Sequence, residues 1–247
     1  MKLPILLYHH VGPVPPDWLR AMTVTPDRFT AQMEWLAGRG FHGIAPEDWI
    51  EWRAGRASLP ERPVMITFDD GFADLATFAF PVLERLGVRA AFYVVSRPPD
   101  RSAAWTGPAA PPLIDDAGLI EWSRRGIEIG AHSRTHADLP TLDEAEMERE
   151  IAGSRTDLEA VLGRPVRSFA YPYGRWNATA RTIASRHYEL AITCDRGINT
   201  QRTDPWTLRR TMVQPLNPRW DMKAQTRLGW SPVEAARKRA RRLLGRR

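Results

Sequence analysis

The sequence predicts a single α/β domain in which repeated β/α units surround a parallel sheet. Short apolar or β-branched runs alternate with longer stretches of helical period, which is the pattern of strands joined by crossover helices. The chain has 247 residues, 43% of them hydrophobic, so it can bury a full core. No internal repeat and no Gly/Ser-rich linker divides it, which favours one barrel-like domain over two lobes.

Six short apolar runs are predicted to be strands, because each is bounded by residues typical of turns. They are Leu3–Tyr8, Val64–Phe68, Ala90–Val95, Ile127–Ala131, Ser168–Tyr171 and Leu190–Thr193. The longer segments between them are predicted to hold the helices. In the first of these segments Thr25 precedes Pro26, which is a favourable helix start, and the helix should end near Gly38 or Gly40.

A longer helix is predicted after the fourth of these strands. Thr141 and Glu144 fit a capping box, and an apolar face continues to Leu162, where Gly163 and Pro165 should end the helix. Earlier in the chain, five prolines between residues 96 and 112 predict a long surface loop. Loops of that length are usually functional.

The charge distribution excludes one class of partner. The formal net charge of +6 comes from residues 232–247, which hold seven basic residues against Glu234, so the rest of the chain is formally neutral. A nucleic-acid groove needs basic charge on the folded body, so we expect no nucleic-acid partner. The single cysteine, Cys194, cannot form an intramolecular disulfide.

We expect a folded domain of residues 1–218 and a basic tail of residues 219–247. From Pro232 onward apolar residues recur at helical spacing, which predicts an amphipathic helix on an anionic membrane; a disordered solubilising tail is the alternative. The apolar run Leu3–Tyr8 is too short for a signal sequence, and no run approaches the ~20 residues of a membrane span. These features predict a cytoplasmic location with peripheral contact to the inner membrane face.

Two adjacent carboxylates, Asp69 and Asp70, follow the strand predicted at Val64–Phe68. In α/β barrels the reacting groups collect at the carboxyl ends of the strands. Neighbouring side chains on an extended strand point to opposite faces, so both aspartates can face one site only if the chain turns there, and Gly71 allows such a turn. The same three residues are also ordinary surface-turn chemistry, so this pair alone leaves both interpretations open.

Two histidines follow the strand predicted at Ile127–Ala131. His132 and His136 are four residues apart and share one face if the segment is helical. For an isolated pair, exposed cap residues are the alternative. Because both pairs follow strands, two imidazoles and a carboxylate can meet, which suits Zn²⁺ or a similar divalent ion and leaves open positions for water and substrate. The pattern therefore indicates a catalytic metal site.

These segments resemble a known family. TFDDG at Thr67–Gly71 and HSxxH at His132–His136 are similar to the first two motifs of the polysaccharide deacetylases, the carbohydrate esterases of family four with the nodulation-type homology domain. FAYPYG at Phe169–Gly174 resembles the third motif. The order and spacing agree from about residue 5 to residue 211.

The resemblance implies a distorted (β/α) barrel with about seven strands. It also implies a hydrolase that removes N-acetyl groups from an amino-sugar polymer, oligomer or glycoconjugate; a related amidase acting on a small non-sugar amide is the alternative. Asp69 would be the general base, and Tyr173 would donate a backbone N–H to the oxyanion. The ligands of one divalent transition metal, with zinc as the expected ion, would be Asp70, His132 and His136.

Two features of the family pattern are missing. The third motif usually opens with an arginine that braces the catalytic aspartate, and here Ala170 stands in that position. The usual late Leu-x-His motif has no match, because no histidine follows His187. These departures leave the general acid to be found, and they motivate a further alternative, a catalytically dead glycan-binding module.

Remaining candidates come from weaker matches. Tyr8 and His9 resemble the opening motif of the poly-N-acetylglucosamine deacetylase subgroup, so we predict that His9 protonates the leaving amine; His10 is the second choice for the acid and a candidate substrate contact. An ordinary strand-end histidine is the alternative. Pro172 and Trp206 are predicted substrate contacts as well, since Asp204-Pro205-Trp206 is compared with the family's fourth motif. Loop tryptophans near the motifs, such as Trp105 and Trp176, would stack on sugar rings.

Overall fold

The computed structural model describes residues 1–13, 15, 17–98, 102–106, 111–215 and 217–243. Its strands are β1 Lys2–Leu3, β2 Ile5–Tyr8, β3 His10–Val11, β4 Thr23–Val24, β5 His42–Ile44, β6 Pro63–Phe68, β7 Ala90–Val94, β8 Ile127–Ala131, β9 Ser168–Ala170, β10 Leu190–Ile192, β11 Asn199–Thr200 and β12 Thr211–Met212. The six predicted strand runs are confirmed, except that Pro4 separates β1 from β2. The other short strands were not predicted.

The helices are α1 Pro26–Ala37, α2 Pro46–Arg53, α3 Leu75–Phe78, α4 Phe80–Arg85, α5 Asp116–Arg124, α6 Glu144–Leu162, α7 Ala178–His187, α8 Arg219–Leu228 and α9 Pro232–Leu243. The start of α1 after Thr25 and its end at Gly38 are as predicted. The capping box of α6 was misassigned. It is formed by Asp143 and Glu146, and Thr141 lies in the 3-10 turn before the helix.

Seven strands form one parallel sheet in the spatial order β10, β9, β8, β7, β6, β2, β12, and β5 pairs in addition with the first half of β6. The sheet curls so far that the stretch Leu208–Met212, which contains the end strand β12, also contacts β10 at the other end of the sheet. Leu208 bridges to Ile192 of β10, and Thr211 pairs with Leu6 of β2. This architecture confirms the predicted single α/β domain with a distorted barrel.

Strand side chains alternate between two apolar layers, as the two-residue period of a strand requires. Ile66, Phe68 and Phe92 face outward and join the large core beneath the helices. Met65 faces inward and belongs to a second cluster, which Trp49 of α2 closes at the end where the strands begin. The barrel interior is therefore filled at its floor, and the reactive groups collect at the opposite mouth.

The C-terminal segment packs on the domain and does not begin a free tail at residue 219. Met222 of α8 is buried in the large core, and Gln225 Nε2 donates to the Met212 carbonyl at 3.4 Å. The folded unit therefore continues past residue 218, because α8 carries its own buried face. Helix α9 begins at Pro232, where the amphipathic helix was predicted, and residues 244–247 of the predicted tail lie outside the described residues. Nowhere in the described ranges does a helix have both the length and the hydropathy of a bilayer span.

Candidate active site

The carboxyl ends of β2, β6, β8 and β9 meet around a cavity of about 230 Å³ at the mouth of the barrel. The cavity brings together six of the residues singled out in the sequence, namely His9, Asp69, Asp70, His132, His136 and Tyr173. These residues span 165 positions of the chain but follow parallel strands, which all end at the same edge of the sheet. The cavity is therefore the candidate active site.

The backbone of this site is unusual. Among the described residues, the only non-glycine residues with positive φ are Asp70 at 76°, Ser133 at 62°, His136 at 63° and Tyr173 at 58°. All four lie in the three motifs. A left-handed conformation of a non-glycine residue is held only where the surrounding structure enforces it, and such residues cluster at functional sites. At Asp70, followed by Gly71 at 91°, it supplies the turn that lets both aspartates face the cavity.

The two histidines do not lie on a helix, so the helical spacing considered for them is not what brings their imidazoles together. Residues 132–136 form a loop with two left-handed positions, and the Ser133 Oγ accepts the His136 N–H at 3.0 Å. Glu150 of α6 accepts the amide N–H groups of Arg134 and Thr135, both at 2.9 Å. These hydrogen bonds fix the loop, so the two imidazoles are held in place by backbone geometry.

Three side chains have the geometry of a metal site. The Asp70 Oδ1 lies 3.2 Å from His136 Nε2 and 3.6 Å from His132 Nε2, and one ligand atom from each residue lies within 4.8 Å of the others. Ligands about 2.1 Å from a tetrahedral metal lie about 3.4 Å from one another. The spacing therefore fits a single divalent ion.

Hydrogen bonding and charge set the protonation states of His132 and Asp70. The His132 Nδ1 lies 2.7 Å from the Ala170 carbonyl, which makes Nδ1 the protonated nitrogen and leaves the Nε2 lone pair for a metal. Burial raises the pKa of Asp70, but the hydrogen bonds from His132 and His136 lower it more, and the net pKa is far below the usual range. Asp70 is therefore a carboxylate, as a metal ligand must be.

Asp69 forms a buried ion pair that the sequence interpretation missed. Arg210 Nη1 donates to Asp69 Oδ1 at 2.7 Å, Nη2 donates to Oδ2, and Nε donates to the Thr193 carbonyl at 2.9 Å. The side chains of Arg210 and Asp69 are only 0% and 3% exposed. Arginine thus braces this aspartate from the stretch that closes the sheet, while Ala170 joins the apolar interior cluster.

The ion pair keeps Asp69 ionised. Burial raises the pKa of the Asp69 carboxyl, but the positive charge of Arg210 and the nearby His132 lower it more, so the net pKa falls below its ordinary value. His132 Nε2 is 3.9 Å from Asp69 Oδ2. An ionised carboxylate therefore lies beside the candidate metal ligands, but its own oxygens already accept hydrogen bonds from arginine.

The consecutive histidines His9 and His10 face different surroundings. His9 lines the cavity, and its Nδ1 is buried without a hydrogen-bond partner among the described residues. Burial lowers the pKa of His9, and the charges of Asp70 and Asp69 oppose that shift. An imidazole that is neutral or weakly basic and aimed into the cavity can exchange a proton with a bound substrate.

His10 has both ring nitrogens in contact with other side chains. Its Nε2 lies 2.9 Å from Asp74 Oδ2, and its Nδ1 lies 3.2 Å from the Thr23 hydroxyl. The predicted contact of His10 with substrate is not supported, since His10 belongs to β3 and its ring packs edge-on against Phe72, away from the cavity lining.

The position of Trp206 does not support its predicted role as a substrate contact. It lines a different cavity, with Trp49 and Leu190, at the end of the barrel where the strands begin. Its indole N–H donates to the Tyr188 carbonyl at 2.9 Å, and the neighbouring Asp204 pairs with Arg181. Loop hydrogen bonds at the floor thus hold this segment away from the mouth.

The rim of the cavity is aromatic. The Trp105 ring stacks on His136 at 4.6 Å and 15°, and the Tyr173 ring meets the same imidazole edge-on at 4.5 Å. Trp105 therefore lies beside the cavity, where a loop tryptophan was predicted to stack on a sugar ring. Trp176 instead donates its indole N–H to Asp195 at 3.2 Å and does not line the cavity.

The third motif supplies backbone to the site. Pro172 is buried behind the lining, whereas Tyr173 and Gly174 line the cavity. None of the backbone carbonyls in the described ranges accepts the Tyr173 N–H. Gly174, at φ 67°, packs against Cys194, where an added Cβ would lie 2.3 Å from the cysteine Cβ. The motif therefore presents an amide N–H that has no acceptor within the described part of the chain, and the residue that follows it has room only for glycine.

Comparison with known proteins gives one family and several relatives. The family model described as polysaccharide deacetylase matches residues 56–189. The Bacillus subtilis (strain 168) protein YxkH is 26% identical over 215 residues, which cover 87% of this chain and 72% of that protein. The Escherichia coli (strain K12) poly-beta-1,6-N-acetyl-D-glucosamine N-deacetylase is 26% identical over 121 residues, 46% of this chain and 18% of that enzyme. The solved Streptococcus pyogenes deacetylase PplD, in complex with acetate, is similar with a TM-score of 0.79 at 26% identity, over 92% of this chain and 98% of that one.

Proposed function

The chain belongs to the polysaccharide deacetylase family, and from that premise we propose that it is a metal-dependent hydrolase that removes N-acetyl groups from an amino-sugar polymer, oligomer or glycoconjugate. The observation that carries this proposal is the cluster of Asp70, His132 and His136 at ligand spacing, with the ionised Asp69 beside it. A module that only bound glycan would need no carboxylate base beside a metal site.

The residues present fit one divalent transition metal, and we propose Zn²⁺. Two imidazole nitrogens and one carboxylate oxygen are one of the donor sets found in catalytic zinc sites, with a further position open to solvent or substrate. When bound, the ion would polarise the acetyl carbonyl and acidify the attacking water. The remaining steps of amide hydrolysis fall to side chains and backbone of the chain itself.

We assign each of these steps to a residue of the cavity. Asp69 accepts the proton of the attacking water, because it is an ionised carboxylate within 3.9 Å of the ligand His132. The Tyr173 N–H donates to the oxyanion that forms on the acetyl oxygen. His9, once protonated, delivers its proton to the leaving amine nitrogen and returns to the neutral imidazole; without that proton the tetrahedral species would return to the amide.

Arg210 supplies the arginine contact to Asp69 that is missing at Ala170. A dead glycan-binding module was motivated by the absence of the arginine that braces the aspartate, but Arg210 makes a bidentate contact with both Asp69 oxygens. It orients the carboxylate and keeps it ionised. We propose that Arg210, which lies just before β12, is a positioning residue that takes over this bracing role.

The substrate class is supported by the aromatic rim and by a relative. Tyr173 is half exposed and Trp105 lies partly exposed beside it, so flat rings are available to sugar faces at the cavity entrance. The Escherichia coli relative is a poly-beta-1,6-N-acetyl-D-glucosamine N-deacetylase. We therefore propose β-linked N-acetylglucosamine chains as the first substrates to test.

The deciding experiment is an acetate-release assay on the Zn²⁺-loaded protein. N-acetylglucosamine oligomers are compared with small N-acetylated amides that carry no sugar. Release from the oligomers alone is the expected result. Release from the simple amides alone would favour the related amidase, and glycan binding without acetate release by metal-replete protein would favour the dead binding module.

His9→Ala is expected to lower kcat by about 10²-fold, the usual contribution of a general acid, without changing metal content. The control is His10→Ala, which removes a neighbouring imidazole that contacts Asp74 and not the cavity. Initial rates of acetate release and metal analysis of both variants are the measurements. Equal rates for His9→Ala and the unsubstituted protein would return the search for the acid to other residues of the lining.

A further inference from the structure

The outer face of α8 carries an unusual exposed apolar patch. Trp220 is 58% exposed, Leu228 55% and Trp230, just beyond the helix, 38%. The described residues contain two other large hydrophobic side chains this exposed, and those are Met1 and Tyr173 of the cavity rim. Trp220, Lys223 and Arg227 recur at spacings of three and four, so apolar and basic side chains share one helix face.

The C-terminal region, residues 219–247, exposes basic and not acidic side chains among its described residues. Residues 219–247 contain ten basic and two acidic residues, whereas residues 1–218 contain slightly more acidic than basic ones. Both acidic residues, Asp221 and Glu234, are buried. Asp221 accepts hydrogen bonds from the Asn217 amide at 2.6 Å and the Ser231 hydroxyl at 2.8 Å, and Glu234 pairs with Arg196. The described exposed charges of the region, including Lys223 and Arg227, are therefore basic.

The same buried contacts make the two helices one unit. Ser231 lies between α8 and α9, and its hydroxyl bonds to Asp221 while accepting the Glu234 N–H at 3.0 Å. The Val233 N–H also donates to Asp221, at 3.3 Å. Because Asp221 holds the start of α9 against α8, the exposed Arg239 of α9 belongs to the same structural unit as the exposed apolar patch.

We propose that the outer face of α8, together with the exposed Arg239 of α9, docks the protein on an anionic lipid bilayer. Tryptophan beside lysine and arginine is the composition of helices that lie in the headgroup region, with the apolar side chains reaching the acyl boundary. The aliphatic Leu228 finds a favourable place there. It would gain nothing from stacking on nucleic-acid bases, which need flat rings. The surface lies outside the catalytic cavity, and this inference does not depend on the proposed reaction.

The test is co-sedimentation of the full chain with vesicles of phosphatidylglycerol and phosphatidylcholine, compared with phosphatidylcholine alone. We expect binding to the anionic vesicles only, weakened by added salt. Trp220→Ser combined with Leu228→Ser and Trp230→Ser should reduce vesicle binding at least about tenfold, because the inserting side chains are lost while the charge is kept. Circular dichroism melting checks that this variant remains folded.

A matched pair of charge variants separates this surface from net charge. Lys223→Ala with Arg227→Ala is compared with Arg20→Ala with Arg85→Ala, two exposed arginines outside the region. The first pair should weaken binding about tenfold or more, since each basic residue near an anionic surface contributes, and the second should leave it unchanged. Equal effects of the two pairs, undiminished binding by the triple serine variant, or equal binding to neutral vesicles would overturn the proposal.

Discussion

His132→Ala is expected to weaken metal binding by orders of magnitude and to abolish acetate release. His132 supplies one of three nitrogen and oxygen atoms at ligand spacing, and its Nδ1 hydrogen bond to the Ala170 carbonyl fixes the orientation of the ring. With two ligands left, a divalent ion would be held by one imidazole and one carboxylate, too few for a stable catalytic site. Metal analysis after dialysis and acetate release are the measurements.

The control for this variant is His42→Ala. His42 is exposed on β5 and distant from the cavity lining, so its loss removes an imidazole without touching the cluster. It should keep full metal content and activity. Retention of full occupancy and full turnover by His132→Ala after dialysis would show that the ligand assignment is wrong.

Asp69→Asn is expected to lower turnover by about 10²-fold or more, because an amide cannot accept the proton of the attacking water. The substitution should also destabilise the fold, since it leaves the buried Arg210 guanidinium without a counter-charge. Removing one partner of a buried ion pair costs about 3–5 kcal/mol. Asparagine still accepts hydrogen bonds from the arginine, so we expect a loss of unfolding free energy near about 3 kcal/mol.

The double variant Asp69→Asn with Arg210→Met separates these two effects. Methionine fills a similar volume without a charge, so the double variant should regain most of the unfolding free energy that Asp69→Asn loses. It should not regain turnover, because the base is still absent. Denaturant unfolding and acetate-release rates, measured on both variants, give the comparison. Near wild-type turnover in Asp69→Asn would assign the base elsewhere, and recovery of turnover in the double variant would mean that the single variant fails through instability alone.

The elements that could be predicted from the sequence are those formed by continuous apolar runs. The strands β6, β7 and β8 were found because each is a continuous buried segment with turn residues at its ends. The strands β5 and β12 were missed, since two or three residues such as Thr211 and Met212 carry no periodic signal. What makes β12 a strand is the neighbouring edge of β2, which only the folded chain provides.

In the candidate site too, the residues with a local sequence signal were predicted and those without one were missed. The cluster of Asp70, His132 and His136 was predicted because its residues lie in short motifs after strands, and the parallel topology brings strand ends together. Arg210 was missed because its partner Asp69 lies 141 residues earlier. An arginine in the run LRRTM carries no local mark of an internal role. The left-handed backbone at Ser133 and His136 was equally hidden, since neither residue type requires it.

One stretch of backbone, Leu208–Met212, has a consequence for the order in which the molecule is completed. The chain is synthesised from its amino end. The edges of β2 and β10 that face residues 208–212 therefore stay unpaired until those residues have been made. Open edges are sites of unwanted pairing. The same stretch delivers the guanidinium to Asp69. A nascent chain that has not reached residue 210 therefore has the three residues proposed as metal ligands but lacks the arginine that contacts Asp69. The carboxylate proposed as the base gains its ion-pair partner only when residues 208–212 join the sheet.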